Sequence, residues 1–282
     1  MANIMIQGTT SSAGKSLMCT GLCRIFKEDG YSVFPFKSQN MSSKFYITKD
    51  GKKISVAQAL QAKAAGLEAH TDMNPILLIP NSDNGSMVVV NGEEISSMKA
   101  NDYYKFRIGL KDTIVEKYRE VESKNDIVVI EGAGSPAEIN LKENDIVNMG
   151  MAEIADAPVL IVTDIDRGGA FAALYGTVML LEPQERARVK GLIINKFRGD
   201  KTLLESGVKM IEDLLNIPVV GVVPYIPLEL VDEDSLVDRE KRCNNEDQSL
   251  EEEEIELKRL AEVLRNNLDM KYIYKIMGLV ND

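Results

Sequence analysis

Short apolar segments recur along the chain, and the later ones are continuous runs rich in β-branched residues rather than alternating patterns. Continuous runs are typical of strands buried on both faces, as in a parallel sheet covered by helices. Segments with helical spacing separate them, which is the βαβ rhythm of an α/β fold. We predict strands at 4–6, 33–36, 127–130, 159–162, 192–194 and 219–223, a first helix through Leu17, Leu22 and Phe26, and helices at 56–65, 103–122, 168–181 and 201–215.

Two regions depart from this rhythm. Residues 88–95 predict a β-hairpin, because Asn91-Gly92 suits a type I′ turn, and we expect the surrounding insertion, roughly 40–100, to build part of a substrate pocket. From about Leu228 the strand pattern stops. We therefore predict a mostly parallel P-loop NTPase-type α/β domain at 1–238 with helices on both faces, a polar linker at 239–250 and a tail of one or two helices at 251–282.

Composition then excludes several kinds of chemistry. The chain has 282 residues, 44% of them hydrophobic, and a single histidine, His70. A zinc site with two or three histidines is impossible, and a hydrolase triad could use only His70, which we expect to cap a helix or lie on the surface. The net charge of −11 makes broad attraction to nucleic acid or an anionic membrane unfavourable. Residues 229–262 carry −9 of it, so the body at 1–228 is nearly neutral.

Cysteine content and hydropathy indicate a cytoplasmic protein. The three cysteines, Cys19, Cys23 and Cys243, form no disulfide framework, and no signal peptide or membrane-length apolar run is present in the sequence. Cys19 and Cys23 lie four residues apart on one face of the first predicted helix. We expect both to be packing residues rather than metal ligands.

The strongest candidate for chemistry is the small-residue segment after the first predicted strand. Its ending, Gly14-Lys15-Ser16, matches the end of a nucleotide-binding P-loop, although the first glycine, Gly8, lies one residue earlier than the standard spacing requires. A strand, a loop of backbone N–H groups and a helix N-terminus together favour a polyphosphate. We expect Lys15 to reach the β- and γ-phosphates and Ser16 to bind Mg²⁺. The predicted nucleotide-binding residues here are Thr9, Thr10, Ser11, Ser12, Ala13, Gly14, Lys15 and Ser16.

Two other strand ends support this hypothesis. Glu131 closes a buried strand, where a second magnesium contact lies in such folds, although a solvated acid is the alternative. Asn195-Lys196 closes another strand and could read an adenine base, or could be ordinary turn chemistry. A chance Gly-Lys-Ser in a turn is the alternative for the loop itself, but its position between strand and helix favours nucleotide binding. The loop lacks the additional early lysine of septum- and chromosome-positioning ATPases, which disfavours that subclass.

Eight sequence blocks together resemble the cobyric acid synthase family, the glutamine-dependent amidases of cobalamin synthesis. The nucleotide-binding part is also similar to dethiobiotin synthetase and to cobyrinic acid a,c-diamide synthase. The blocks are GTTSSAGKS (8–16), FKSQNM (36–41), AQALQA (57–62), DMNP (72–75), EGAGSPAEIN (131–140), DIDRGG (164–169), INKFRGD (194–200) and GVVPY (221–225).

The resemblance implies a specific reaction. ATP would phosphorylate a peripheral carboxylate of a corrinoid, and ammonia would then displace phosphate to give an amide, converting adenosylcobyrinic acid a,c-diamide to cobyric acid. It implies that Lys15, Lys37 and Glu131 are catalytic, that Ser16 and Glu131 hold Mg²⁺, and that Asn195, Lys196 and Pro224 contact the nucleotide. The substrate-side candidates that it implies are Gln39, Asn40, Ser135, Glu138, Asn140, Asp166 and Arg167.

The sequence departs from the family in one large way. Full-length members carry a glutaminase domain, whereas here the block at 232–236 resembles the end of the synthetase domain and 260–270 resembles the family's last helix. Cys243 does not lie in the glycine-flanked elbow of a nucleophile. We therefore expect the nitrogen to come from free ammonia or from a separate glutaminase. The sequence leaves open whether the protein forms a homodimer.

Two other functions stay open. One is a P-loop protein that binds nucleotide without ligase activity and acts as a regulatory or interaction subunit. The other is a dethiobiotin-synthetase-like ligase that acts on another small carboxylate or amine.

Overall fold

The computed structural model describes residues 2–81, 85–227 and 250–280, and its centre is a sheet of six parallel strands. The strands of the chain are β1 Ala2–Gly8, β2 Val33–Phe36, β3 Gln39–Met41, β4 Phe45–Ile47, β5 Lys53–Ser55, β6 Ile76–Pro80, β7 Gly85–Val90, β8 Glu93–Lys99, β9 Ile127–Glu131, β10 Val159–Asp164, β11 Val189–Phe197 and β12 Val219–Pro224. The helices are α1 Lys15–Glu28, α2 Val56–Ala65, α3 Ala100–Phe106, α4 Lys111–Lys124, α5 Met149–Ile154, α6 Ala170–Met179, α7 Pro183–Arg186, α8 Glu205–Leu215, α9 Leu250–Asn267 and α10 Met270–Ile276.

The continuous apolar runs form the central strands, as predicted, because both faces of the sheet are covered. In β9, Ile127 and Val129 belong to one buried cluster, while Val128 and Ile130 belong to the other. Helices α1, α9 and α10 contribute to the first cluster, and α4, α5, α6 and α8 contribute to the second. A strand between two such layers has no solvent-facing side, so its sequence does not alternate.

The order of strands predicts a crevice beside β1. The sheet runs β12-β11-β10-β1-β9-β2, so that the early strands lie on one side of β1 and the later ones on the other. In parallel α/β sheets, ligands bind outside the carboxyl ends of the strands at such a reversal of order. The P-loop segment, Glu131 and the end of β10 all lie at this edge.

The insertion forms two small sheets, of which the sequence predicted one hairpin. That hairpin, β7–β8, is confirmed, and Asn91 and Gly92 have φ values of 50° and 79°, both positive as a type I′ turn requires. β3, β6, β7 and β8 form a four-stranded sheet, and β4 pairs with β5. Strands β3 to β6 were not predicted.

Most predicted helices are confirmed, with differences at their ends. α2 has the predicted bounds, whereas the predicted helix at 103–122 is divided by a 3₁₀ turn at Arg107–Leu110 into α3 and α4. The region at 168–181 is α6, and 201–215 is a 3₁₀ turn followed by α8. The tail consists of two helices, and most of the predicted linker lies outside the described residues.

The tail packs on the first helix of the domain. Leu260 and Leu264 of α9 are fully buried in the first cluster, and a Cβ atom built on Gly21 of α1 would lie 2.2 Å from Leu264 Cδ1. The two helices can therefore approach this closely only because residue 21 is glycine. At one end of the contact, Arg24 donates to both carboxylate oxygens of Glu254.

His70 and the two described cysteines have structural roles. Nδ1 of His70 accepts from the backbone N–H of Asp72 and caps the 3₁₀ turn at Thr71–Met73. Cys19 and Cys23 are fully buried, and burial raises the pKa of both thiols, so neither is a reactive thiolate. Cys243 lies outside the described residues. None of the helices in the described part of the chain combines the length and hydropathy that a membrane span needs.

Candidate functional site

The loop between β1 and α1 has the geometry of a phosphate cradle. After β1 ends at Gly8, residues Ser11–Ala13 form a 3₁₀ turn, and α1 begins at Lys15. Gly14 joins them with φ at 108°, a conformation that side chains disfavour, and a Cβ atom there would lie 2.1 Å from Asn195 Nδ2. Both the conformation and the close approach require glycine at this position.

Lys15 is almost completely buried, and its ammonium lies inside the curve of this loop. Nζ donates to the carbonyl oxygens of Thr10 at 2.9 Å, Ser11 at 3.0 Å and Gly134 at 3.1 Å. Gly134 belongs to the loop after β9, so one cation joins the P-loop to that second loop. A phosphate entering the cradle would find a cation already positioned.

Glu131, at the end of β9, is the centre of the site. Its Oε1 accepts from Ser16 Oγ at 2.8 Å and from Lys37 Nζ at 2.7 Å, and its Oε2 accepts from Gln61 Nε2. Burial alone would raise the pKa of Glu131, but the Lys37 charge and these hydrogen bonds outweigh it and hold the pKa below its usual value. The carboxylate is therefore ionised at neutral pH although it is buried.

A second cluster lies on the other side of the P-loop, at the ends of β10 and β11. Asn195 Nδ2 donates to the Ala13 carbonyl at 3.0 Å, and Lys196 Nζ donates to the Ser12 carbonyl at 2.8 Å. Lys196 also forms an ion pair with Asp164 at 2.9 Å and has a φ of 60°. Both predicted nucleotide residues thus contact the loop backbone.

An exposed stacked pair lies beyond this cluster. The guanidinium of Arg198 lies 3.6 Å from the centre of the Tyr225 ring, and its Nε donates to Asp166 at 3.0 Å. Pro224, at the end of β12, is in register with Phe197 of β11. Pro224, which the resemblance predicts to contact the nucleotide, therefore lies next to the strand that carries Asn195 and Lys196.

The seven predicted substrate residues lie on three segments of the chain. Two lie on β3, three lie in the loop after β9 and two lie in the loop after β10: Gln39 and Asn40, then Ser135, Glu138 and Asn140, then Asp166 and Arg167. The loop after β9 is joined to the P-loop through Lys15.

Several of these residues already have intramolecular partners. Gln39 accepts from the Tyr103 hydroxyl, and Glu138 accepts from the backbone N–H of Ser135. Asn140 is exposed.

Two residues of the site were missed as functional candidates. Gln61 bonds to Glu131, and Asp164 pairs with Lys196 and also lies 3.6 Å from Arg167. Both belong to sequence blocks quoted for the family resemblance. The signal available for Asp164 was its place at the end of a buried strand, which is the argument that identified Glu131.

The chain matches a known family of nucleotide-binding domains and several curated proteins. The family model of the CobQ/CobB/MinD/ParA nucleotide binding domain matches residues 4–237. A protein of Clostridium acetobutylicum named cobyric acid synthase is 60% identical over 237 residues, covering 84% of this chain and 48% of that protein. One of Alkaliphilus metalliredigens with the same name is 56% identical over 246 residues, covering 87% and 49%.

The chain therefore spans about half the length of the curated relatives that it matches. The crystal structure of the signal recognition particle receptor FtsY from Elizabethkingia anophelis is also similar, with 19% sequence identity and a TM-score of 0.47, covering 82% of this chain and 62% of that one. The curated relatives confirm the predicted resemblance.

Proposed function

Because the chain belongs to the CobQ/CobB/MinD/ParA nucleotide-binding domain family, we propose that it is the synthetase part of an ATP-dependent amide ligase that acts on corrinoid carboxylates. The observation that carries the proposal is that Ser16 and Lys37 both bond to the buried carboxylate of Glu131, directly beside the P-loop that contains Lys15. The relatives named cobyric acid synthase support the choice of substrate. We also propose that the protein is cytoplasmic.

The residues at Glu131 fit a magnesium ion. Ser16 offers a hydroxyl and Glu131 an ionised carboxylate, 2.8 Å apart, which is the oxygen chemistry that Mg²⁺ prefers. Within residues 2–81, 85–227 and 250–280, no cluster of three or more His, Cys, Asp or Glu side chains could hold a metal. That suits Mg²⁺, which takes few protein ligands and completes its shell with phosphates and water. When bound, the ion neutralises phosphate charge.

Asn195 supports adenine as the base. Its Nδ2 donates to the Ala13 carbonyl, while its buried Oδ1 has no hydrogen-bond partner in the part of the chain that the structure describes. A buried acceptor left unpaired is unfavourable, and the exocyclic amino group of adenine is a donor that would satisfy it. Guanine presents a carbonyl oxygen at the same place and would leave two acceptors facing each other.

The proposed chemistry is transfer of a phosphoryl group followed by amide formation. A substrate carboxylate oxygen attacks the γ-phosphorus of ATP, and ADP leaves. Ammonia then attacks the acyl carbon, loses a proton, and inorganic phosphate leaves. Lys15 and Lys37 stabilise negative charge on the transferring group, and the loops around the crevice hold the carboxylate in line. The ammonia comes from solution or from a separate glutaminase.

A direct assay tests the proposal. With ATP, Mg²⁺, ammonium and a corrinoid that bears free carboxylates, we expect phosphate release that depends on the corrinoid, together with conversion of carboxyl to amide detected by mass spectrometry. Hydroxylamine in place of ammonium should trap the acyl phosphate as a hydroxamate. Nucleotide binding without turnover would favour the P-loop protein that lacks ligase activity, and turnover with a small amine or carboxylate alone would favour the dethiobiotin-type ligase.

Lys196 provides a test of the nucleotide site that is independent of the substrate. Lys196→Met removes the bonds to the Ser12 carbonyl and to Asp164, so the 3₁₀ turn of the P-loop loses a charge-assisted contact. Because the turn is then less well ordered before nucleotide binds, part of the binding free energy is used to order it, and we expect about a tenfold weaker affinity for an ATP analogue, or about 1.4 kcal/mol. Titration calorimetry measures it. Lys209→Met, at an exposed position of α8, is the control, and equal affinities of the two variants would contradict the role of Lys196.

A further inference from the structure

The AQALQA block on α2 carries two glutamines that are completely buried. Gln58 and Gln61 both have no exposed surface, although glutamine is mostly found at the protein surface. Burying an amide is unfavourable unless its donor and acceptor are bonded. Simple packing of α2 would be served better by apolar residues, so the two amides call for a polar role.

The two amides form a directed chain of hydrogen bonds that ends on Glu131. The Ser55 hydroxyl bonds to Gln58 Oε1, Gln58 Nε2 donates to Gln61 Oε1 at 3.2 Å, and Gln61 Nε2 donates to Glu131 Oε2. Each amide accepts at its oxygen and donates at its nitrogen, so all the hydrogen bonds in the series point from Ser55 towards Glu131. Its last donor faces the carboxylate, which is the strongest acceptor in the series.

A second series of hydrogen bonds leads from Glu131 back to Ser55. Lys37 Nζ pairs with Glu131 Oε1, and the Lys37 carbonyl accepts from Asn74 Nδ2 at 3.2 Å. Asn74 Oδ1 in turn accepts from the backbone N–H of Ser55 at 3.1 Å. The six residues form a closed, buried ring: Ser55, Gln58, Gln61, Glu131, Lys37 and Asn74.

The ring fixes how the carboxylate is turned. Gln61 occupies Oε2, so Oε1 is the oxygen that faces Ser16 and Lys37. Gln61 is neutral, and it therefore orients the carboxylate without adding a second positive charge to the Lys37–Glu131 pair. A rotating carboxylate would offer either oxygen to a cation and would hold it less well.

We propose that Gln61, supported by Gln58, is a positioning residue that presents Glu131 Oε1 to the magnesium site. This inference rests on the part of the proposed function that assigns Mg²⁺ to Ser16 and Glu131. Partners of this kind, which bond to a metal ligand rather than to the metal, are worth about 10–100-fold in metal affinity. The ring also ties the insertion to the nucleotide-binding core, because Ser55, Gln58, Gln61 and Asn74 all belong to the insertion.

Calorimetric titration of an ATP analogue with and without Mg²⁺ tests the inference. For the native protein we expect Mg²⁺ to strengthen binding, and for Gln61→Met we expect that gain to fall by about tenfold or more while binding without Mg²⁺ stays unchanged. Gln184→Met, the same substitution at an exposed position of α7, is the matched control and should bind as the native protein does.

The outcomes separate the inference from the proposed function. A native protein that binds nucleotide equally with and without Mg²⁺ would overturn the metal site and the inference together. A Mg²⁺-dependent native protein with an unchanged Gln61→Met variant would overturn the inference alone. If Gln61→Met does not fold, Gln58→Met decides. This substitution keeps the bond between Gln61 and Glu131 but removes the bond from Gln58 that holds the Gln61 amide in place. A partial decrease in the strengthening of nucleotide binding by Mg²⁺ supports the inference, and no decrease overturns it.

Discussion

A Lys15→Ala protein is expected to fold and to lose about a hundred- to thousandfold of its ATP-dependent amidation rate, the usual effect of deleting one preorganised electrostatic group at a reacting centre. The Lys15 ammonium is bonded to the Thr10, Ser11 and Gly134 carbonyls, inside the curve of the P-loop where phosphates would bind. No other residue takes its place in the loop, because positions 9–13 carry only short neutral side chains. The loss should therefore appear in the rate of phosphoryl transfer.

The measurement is single-turnover phosphate release with saturating ATP and corrinoid, accompanied by thermal unfolding of each variant. Lys27→Ala, at the exposed end of the same helix α1, removes the same charge away from the loop and should keep the native rate. A folded Lys15→Ala protein that still amidates at the native rate would overturn the proposed mechanism.

The second large expected effect is on the free energy of unfolding and comes from a substitution in the tail. Leu264→Ala should lower the free energy of unfolding by about 2–5 kcal/mol, because the side chain is fully buried between α9 and α1. Domains are stable by only about 5–15 kcal/mol, so this single substitution removes a substantial part of the total. The Leu264 side chain also occupies the space beside Gly21, where a Cβ atom would lie 2.2 Å from Leu264 Cδ1, so its truncation opens a cavity between the two helices.

Urea unfolding followed by circular dichroism measures the change. Ile255→Ala on the same helix is the matched control, since Ile255 is 62% exposed and its truncation should cost less than about 0.5 kcal/mol. Equal stabilities of the two variants would mean that α9 does not pack on α1 in solution.

The sequence predicted the central sheet well because each buried strand leaves a strong local pattern. The runs at 127–130 and 159–162 have no polar residue, and both became two-faced strands of the core. β3 to β5 have three residues each, which is too short for a periodicity to identify them. The break between α3 and α4 contains Gly109 but no proline, and a single glycine inside a helical pattern is not enough to predict a break.

Some residues of the candidate site could likewise be predicted from local sequence, and others could not. The loop residues and Glu131 were predicted because each is tied to a strand end that the sequence reveals. The partners of Glu131 were harder, since Lys37 and Gln61 lie 94 and 70 residues away from it. From the residues alone neither pairing could be predicted, and the family resemblance supplied only Lys37. Asn195 and Lys196 were predicted to contact nucleotide, but their bonds to the loop backbone depend on the register of β10 and β11.

The position of the tail has a consequence for how the chain matures on the ribosome. One buried cluster contains Ala2 and Ile4 from the first strand together with Ile273 of the last helix and Met277 directly after it, so it joins regions that are more than two hundred residues apart in sequence. Contacts of such long separation form late and slow folding. During synthesis, the apolar faces of α1 and β12 that the tail covers stay exposed until residue 277 has left the exit tunnel, and exposed apolar surface of this kind favours aggregation of the nascent chain.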